Sequence, residues 1–111
     1  MVEVRFTPSF KRRLKTLFKR YRHIQQDVQP IIEERQAGNF IGNQISGITV
    51  TVLKVRAKNR DIPTGKSGGY RIIYQVGSPQ LVLLLLIYAK SEQTDVSLDE
   101  IRVAIAKTEN E

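Results

Sequence analysis

The feature that most constrains the fold is a run of seven consecutive apolar residues at positions 81–87. No polar residue interrupts the run, so both faces of a strand formed there would be apolar. A membrane-spanning helix needs roughly 20 apolar residues, which excludes that reading of the run. The segment 81–90 is therefore predicted to be a central strand, buried on both faces by neighbouring layers.

The N-terminal part of the chain supplies helices for such a layer. Residues 2–6 alternate apolar and charged side chains and predict a short first strand. Thr7 can cap the helix that follows, with Pro8 at its first position. In a second helical pattern, either the helix starts with Asp27 as its cap or one helix bends at that point, because Pro30 is tolerated only in a first turn.

The rest of the chain predicts further strands and a last helix. Ser97 and Glu100 have the spacing of a capping box, which predicts a helix over residues 98–107. The order β-α-α-β-β-β-α predicts one α+β domain over residues 1–111, with a small, twisted, mainly antiparallel four-stranded sheet, two N-terminal helices and a C-terminal helix. The three later strands are predicted at residues 48–58, 70–76 and 81–90.

The charge favours a polyanionic partner. The chain has 18 basic and 11 acidic residues, a formal charge of +7 and a pI near 10. Residues 4–22 hold eight cations without a carboxylate, and residues 54–71 hold six cations against Asp61 alone. The acidic C-terminal segment either lies apart from this basic surface or packs back on it.

Composition also limits the available chemistry. The chain has no cysteine, which excludes disulfides and thiolate chemistry. His23 is the only histidine; it lies near the helix junction and is interpreted as a surface residue. Nothing in the sequence predicts a metal site or a cofactor. The N-terminus lacks the apolar core of a secretion signal, so we expect a cytoplasmic protein without a membrane segment.

Cations alternate along the predicted strand 48–58. Because successive strand residues point to opposite faces, Lys54, Arg56 and Lys58 should share one face while the intervening apolar residues enter the core. Such a row suits a phosphate chain. It can also be no more than solvated protection of a sheet edge.

Clustered cations could also cleave RNA, which carries its own nucleophile, the 2′-hydroxyl. Cleavage requires removal of the hydroxyl proton, stabilisation of the phosphorane and protonation of the leaving oxygen. Cations packed together disfavour the protonated form of a lysine and so lower its pKa, and the neutral lysine can then act as a base. Arginine stays charged and clamps phosphate oxygens. The predicted meander of three strands and their connections supplies Lys54, Arg56, Lys66, Arg71, Lys90, Tyr70 and Tyr88.

Three segments resemble the core of the RelE/ParE superfamily of bacterial toxins. They read Leu-Lys-Val-Arg at 53–56, Ser-Gly-Gly-Tyr-Arg-Ile-Ile-Tyr-Gln-Val at 67–76 and Ile-Tyr-Ala-Lys-Ser-Glu at 87–92. The HigB-like branch, with its Gly-Lys-Ser-Gly-Gly and Tyr-x-Lys-x-Glu segments, is nearest in pattern. The predicted order of elements matches this superfamily across almost the whole chain.

The resemblance implies the toxin of a type II toxin–antitoxin pair, a ribosome-dependent endoribonuclease that cuts mRNA without metal and leaves a 2′,3′-cyclic phosphate. By position, Lys54 and Arg56 match basic residues of the family's catalytic strand, and Arg71 matches the arginine that holds the scissile phosphate. Either Lys54 or Lys90 would be the general base. Arg56, Lys66 and Arg71 would stabilise the phosphorane, with assistance from Tyr88.

The resemblance also implies partners: a cognate antitoxin protein, the ribosome and mRNA, with the toxin alone a monomer. The chain departs from the RelE pattern at Ser91 and Ser97, where that pattern has an arginine and a tyrosine. The residues expected to bind RNA through its backbone are Lys58, Arg60, Lys11, Arg12, Lys15 and Lys19.

Two alternatives stay open. A ParE-like protein would share the fold and inhibit DNA gyrase without catalysis, but that branch generally lacks the cationic centre. A plain RNA-binding module would need aromatic residues for base stacking. The chain has only four Tyr and four Phe, mostly at core spacing.

Overall fold

The computed structural model describes residues 1–62 and 68–109, and the predicted catalytic residue Lys66 lies outside them. The protein is α+β, with three helices and one sheet in the described ranges. The elements are β1 (Glu3–Phe6), α1 (Pro8–Phe18), α2 (Ile24–Gln36), β2 (Asn43–Gln44), β3 (Val52–Ala57), β4 (Tyr70–Ser78), β5 (Leu81–Ala89) and α3 (Leu98–Glu109).

The sheet has five strands in the order β1-β5-β4-β3-β2. β1 runs parallel to β5, and the other neighbours are antiparallel. The fifth strand, β2, lies outside the four segments that the sequence predicts to be strands. It is only two residues long and pairs with Leu53 and Lys54. Three of the four strand pairings are antiparallel, and the sheet has five described strands where four were predicted.

Local signals define two of the helix starts. The Thr7 hydroxyl accepts a hydrogen bond from the Phe10 N–H at 3.3 Å, and Pro8 occupies the first turn, so the predicted start of α1 is confirmed. At α3 the predicted capping box is present. The Ser97 N–H donates to Glu100 at 3.0 Å, and the Glu100 N–H donates to the Ser97 hydroxyl at 3.1 Å.

Helix α2 begins earlier than an Asp27 cap would allow. It starts at Ile24 and keeps Pro30 inside the helix. Asp27 is buried and binds another segment: it accepts the Arg60 N–H at 2.9 Å and the Arg60 Nε at 2.7 Å. Because the carboxylate is used in this long-range contact, Asp27 is not the cap.

Side chains cover β5 on both faces, as the apolar run predicts. On one face, α1 and α2 contribute a layer that includes Phe10, Leu17 and Ile24. On the other face, Ile101 and Ala104 of α3 cover part of the sheet. We call these the α1/α2 face and the α3 face. β5 is buried from Leu84 to Ala89 because it lies between the two layers.

A β-bulge sets which β5 side chains lie on which face. Ile73 of β4 pairs with Leu86, whereas Tyr74 pairs with Leu84, so Leu85 has no direct partner. Leu84 packs on the α1/α2 face, and Leu85 and Leu86 both pack on the α3 face. Beyond the bulge, Tyr88 therefore lies on the α3 face.

Candidate active site on the α3 face

The strand register brings the predicted catalytic residues of three strands onto one face. Arg56 of β3 lies opposite Arg71 of β4, and Arg71 lies opposite Tyr88 of β5. Residues directly opposite each other on antiparallel strands point the same way. Lys54, two residues before Arg56, shares their face. We call Lys54, Arg56, Arg71 and Tyr88 the cationic patch; it occupies the end of the α3 face near Ala57 and Tyr70.

Gly69 lies beside the side chains of both arginines. A Cβ atom placed on Gly69 would lie 3.4 Å from the Arg71 Nη1 and 3.5 Å from the Arg56 Cγ. It would also lie 2.7 Å from the Ala57 carbonyl oxygen, which is closer than a real side chain allows. The glycine therefore lets β3 approach the start of β4, and both arginine side chains pass close to it.

Asp95, a residue that the sequence analysis did not select, belongs to the same patch. Its Oδ1 lies 3.5 Å from the Lys54 Nζ and accepts a hydrogen bond from the Tyr88 hydroxyl at 3.3 Å. Partial burial raises the pKa of Asp95, but the Val96 N–H, the Lys54 ammonium and the Tyr88 hydroxyl together hold that pKa below its ordinary value. The patch thus contains an ionised carboxylate.

Lys90 joins the patch from the end of β5. Its N–H donates to the Gly69 carbonyl at 2.9 Å, which continues the pairing of β5 with the start of β4. Its ammonium donates to the Thr94 carbonyl at 2.8 Å. The acidic C-terminal segment therefore packs back on the basic surface, because Lys54, Tyr88 and Lys90 all bind residues 94–95.

Tyr88 is placed as a hydrogen-bond donor. Its side chain is buried, and this burial, together with the charge of Asp95, raises the pKa of the Tyr88 hydroxyl to about 12. The nearby Arg71 opposes this shift only in part. At neutral pH the hydroxyl keeps its proton and donates a hydrogen bond to Asp95.

Tyr70 lies on the opposite face, as strand alternation predicts. Its ring packs edge-on against Tyr21, with ring centroids 5.9 Å apart. Burial raises the pKa of the Tyr70 hydroxyl, which has no hydrogen-bond partner among the described residues. Tyr70 is thus a core residue of the α1/α2 face.

Two of the expected RNA-binding residues lie just beyond β3. Lys58 is exposed. The Arg60 guanidinium binds the buried Asp27, so its charge is largely compensated within the protein. His23 lies at the junction of α1 and α2, as expected. Its Nδ1 is 2.7 Å from Asp61 Oδ1, and this hydrogen bond lowers the pKa of Asp61.

The cations of α1 do not form a single basic face. Arg12 lies on the side towards β5, and Lys15 lies on the side towards α2. Lys11 and Lys19 are exposed. None of these four side chains pairs with a carboxylate within the described ranges.

Comparison with known proteins leaves the family open. No protein-family model matches the sequence, and no curated protein matches it significantly. Within residues 1–62 and 68–109, no three His, Cys, Asp or Glu side chains converge as metal ligands. The helices in those ranges are all too short or too polar to cross a membrane.

The structure shows where the two serines at positions 91 and 97 lie. Ser97 caps α3, so its side chain takes part in helix initiation. Ser91 is exposed in the turn after β5. The sequence contains no local signal for the position of Asp95, because the residue reaches the patch through a loop whose path depends on α3.

Proposed function

We propose that this chain is the toxin of a type II toxin–antitoxin pair, a ribosome-dependent endoribonuclease that cleaves mRNA without metal by 2′-hydroxyl attack. The observation that carries the proposal is the direct opposition of Arg56 and Arg71 on neighbouring strands, beside Tyr88 and an Asp95 carboxylate. Two guanidinium groups can hold one phosphate, and a carboxylate next to them can accept a proton.

Arg56 and Arg71 are assigned to the scissile phosphate. Each guanidinium has N–H donors in a fixed fork, and both arginine side chains pass beside Gly69. Negative charge on the phosphate oxygens increases as the phosphorane forms. Donors already held in place stabilise that charge without reorganising, which is the usual source of the largest catalytic effect. Lys66 remains an additional proposed contact outside the described residues.

Asp95 is assigned as the general base, a role that the sequence analysis gave to Lys54 or Lys90. The Lys54 ammonium is 3.5 Å from the Asp95 carboxylate, so Lys54 and Tyr88 act together to orient it. The carboxylate takes the 2′-hydroxyl proton as the 2′-oxygen bonds to phosphorus. The bond from phosphorus to the 5′-oxygen breaks, and that oxygen takes a proton from the Lys90 ammonium. The products are a 2′,3′-cyclic phosphate and a 5′-hydroxyl.

The proposal also assigns a RelE-like core and its partners. β1, β3, β4 and β5 would form the four-stranded core of that fold, with β2 as an addition. The exposed cations of α1 would bind ribosomal RNA through its backbone, so binding should weaken with salt. A cognate antitoxin in the cytoplasm would cover the cationic patch or displace α3.

Mapping of mRNA ends on translating ribosomes tests the proposal. The wild type should produce codon-phased cuts, and Arg71→Ala should abolish them. Lys107→Ala, which removes an exposed cation from the far part of α3, is the matched control and should cut like the wild type. Inhibition of gyrase supercoiling with intact mRNA would instead support the ParE-like alternative and overturn the proposal.

A further inference from the structure

Helix α1 runs beside an edge of β5 that none of the described strands covers. β1 pairs with β5 only from Leu81 to Leu84, and the Thr7 N–H closes this pairing at the Leu84 carbonyl, 3.2 Å away. Alternate residues of an antiparallel strand point their backbone groups to opposite edges. Because the Lys90 N–H points to β4, the backbone groups of Ile87 and Ala89 point away from β4, towards α1.

A pocket of about 270 Å³ lies between this edge and α1. Arg12, Arg13 and Thr16 line it from α1, Arg20 lines it from the turn after α1, and Gln93 lines it from the segment after β5. Among the described residues of this lining, Glu92 is the only carboxylate. A site of this size with three guanidinium groups suits one small anion.

The existing ion pairs hold two of the arginines in position. Arg20 makes two hydrogen bonds to Glu92, at 2.8 and 2.7 Å, and these lower the pKa of that carboxyl group. Arg13 pairs with Glu100 of α3 at 2.8 Å. Arg12 has no carboxylate partner among the described residues. The Arg12 guanidinium is therefore the group with uncompensated charge at the pocket.

The pocket adjoins the cationic patch through one residue. Tyr88 lines the pocket, and its hydroxyl reaches Asp95 on the α3 face. A ligand that occupies both places must carry anionic groups in series. A polynucleotide does so, because every nucleotide contributes one phosphate.

We propose that the pocket binds a phosphate next to the scissile one, as a second phosphate subsite for the substrate strand. This inference rests on the proposed function. Arg12 binds the phosphate, Arg13 and Arg20 flank it in the positions that their carboxylate partners fix, and the N–H groups of Ile87 and Ala89 donate from the floor. The subsite fixes the register of the RNA strand over Arg56 and Arg71.

Binding of a single-stranded DNA oligonucleotide tests the subsite without cleavage, because DNA lacks the 2′-hydroxyl. Fluorescence anisotropy at several salt concentrations compares the wild type, Arg12→Gln and the control Lys107→Gln. Arg12→Gln should weaken binding about 5-fold at 0.1 M salt and reduce the slope of log K against log salt by about 0.7, the value for one lost phosphate contact on a single strand. An Arg12→Gln slope equal to that of Lys107→Gln would overturn the subsite.

Amide NMR with inorganic phosphate as the probe locates the contact. Phosphate should shift the Ile87 and Ala89 amide resonances of the wild type but not those of Arg12→Gln. Unshifted amides in the wild type would contradict the proposal.

The two proposals can fail separately. A wild type that cuts no mRNA but shows the Arg12-dependent slope would remove the nuclease function and leave the subsite. A wild type that cuts mRNA, with an Arg12→Gln variant that binds and cuts equally well, would remove the subsite alone.

Discussion

The same strands present an apolar surface on the α1/α2 face of the sheet and a partly charged surface on the α3 face. On the α1/α2 face, alternate residues such as Ile72 and Tyr74 are fully buried beneath two helices. On the α3 face, a single helix covers Ile73 and Leu86, and the cationic patch extends beyond it. Like charges can lie close together only where water remains nearby to solvate them. The extent of helix cover therefore decides where cations can cluster.

Two arginines make the contrast concrete. Arg35 is 1% exposed, stacks over the Tyr74 ring at 4.7 Å and donates to the Ile41 carbonyl at 2.9 Å. The Tyr74 hydroxyl donates to the same carbonyl at 2.6 Å. Arg35 thereby fastens the segment after α2 to the sheet. Arg71 is only half-buried and lies beside Arg56, where a phosphate could reach it.

The largest expected effect comes from removing the charge at Arg71. Arg71→Ala should lower the rate of mRNA cleavage by about 10²–10³-fold, because one preorganised donor to the phosphorane is lost. Single-turnover cleavage on stalled ribosomes measures the rate. Thermal unfolding should change little; a collapse of stability would instead give Arg71 the structural role assigned to Arg35.

Asp95→Asn should reduce cleavage by about 10²-fold, since an amide cannot accept the 2′-hydroxyl proton. Because the pKa of Asp95 is lowered, the wild-type base stays ionised down to pH values below the usual aspartate range. The wild-type rate should therefore show no loss from base protonation between pH 7.5 and about 5. Equal cleavage by Asp95→Asn and wild type would leave the base assignment with Lys54 or Lys90.

Arg35→Ala should act on stability alone. Loss of the packed side chain and its hydrogen bond should lower the free energy of unfolding by about 2–3 kcal/mol. Urea unfolding measures this change, and cleavage per folded molecule should stay at the wild-type level. Arg56→Ala is the matched variant from the other face, and its pattern should be the reverse: intact stability and reduced cleavage.

The smallest effect concerns the buried tyrosines of the two faces. The pKa of Tyr70 and that of Tyr88 are both raised in the folded protein. Because the pKa is raised in the folded protein, the stabilising contribution of each protonated hydroxyl is fully present below pH 10 and is lost as pH rises towards about 12. In Tyr70→Phe, the free energy of unfolding should fall less steeply with pH than in the wild type, by up to about 1.4 kcal/mol per pH unit.

Urea midpoints at pH 9, 10 and 11 provide the measurement, and Tyr88→Phe should show the same sign of change. If the free energy of unfolding of Tyr70→Phe fell with pH as steeply as that of the wild type, the Tyr70 hydroxyl would not be the group that titrates.

Local signals in the sequence were sufficient for most of the elements. Thr7 with Pro8, and Ser97 with Glu100, act within one helical turn, so the starts of α1 and α3 could be predicted. The double burial of β5 follows from its own composition. The start of α2 could not be predicted, because Asp27 binds Arg60 at a distance of 33 positions.

For the candidate site, the sequence could predict only which residues of a single strand share a face. Alternation predicts that Lys54 and Arg56 share a face, but nothing local predicts that Arg56 pairs with Arg71. Asp95 reaches Lys54 across 41 positions through a loop. The division of the α1 cations between two sides also depends on where β5 and α2 pack.

The bulge at Leu85 has a consequence for how the chain tolerates changes in length. Leu84 and Leu86 pair with adjacent residues of β4, so a strand without Leu85 would alternate regularly and keep Tyr88 towards Asp95. A deletion of Leu85 should therefore leave the charged cluster in register, whereas a deletion of Ile87 would turn the Tyr88 hydroxyl into the apolar layer and bring the Ala89 methyl group out in its place.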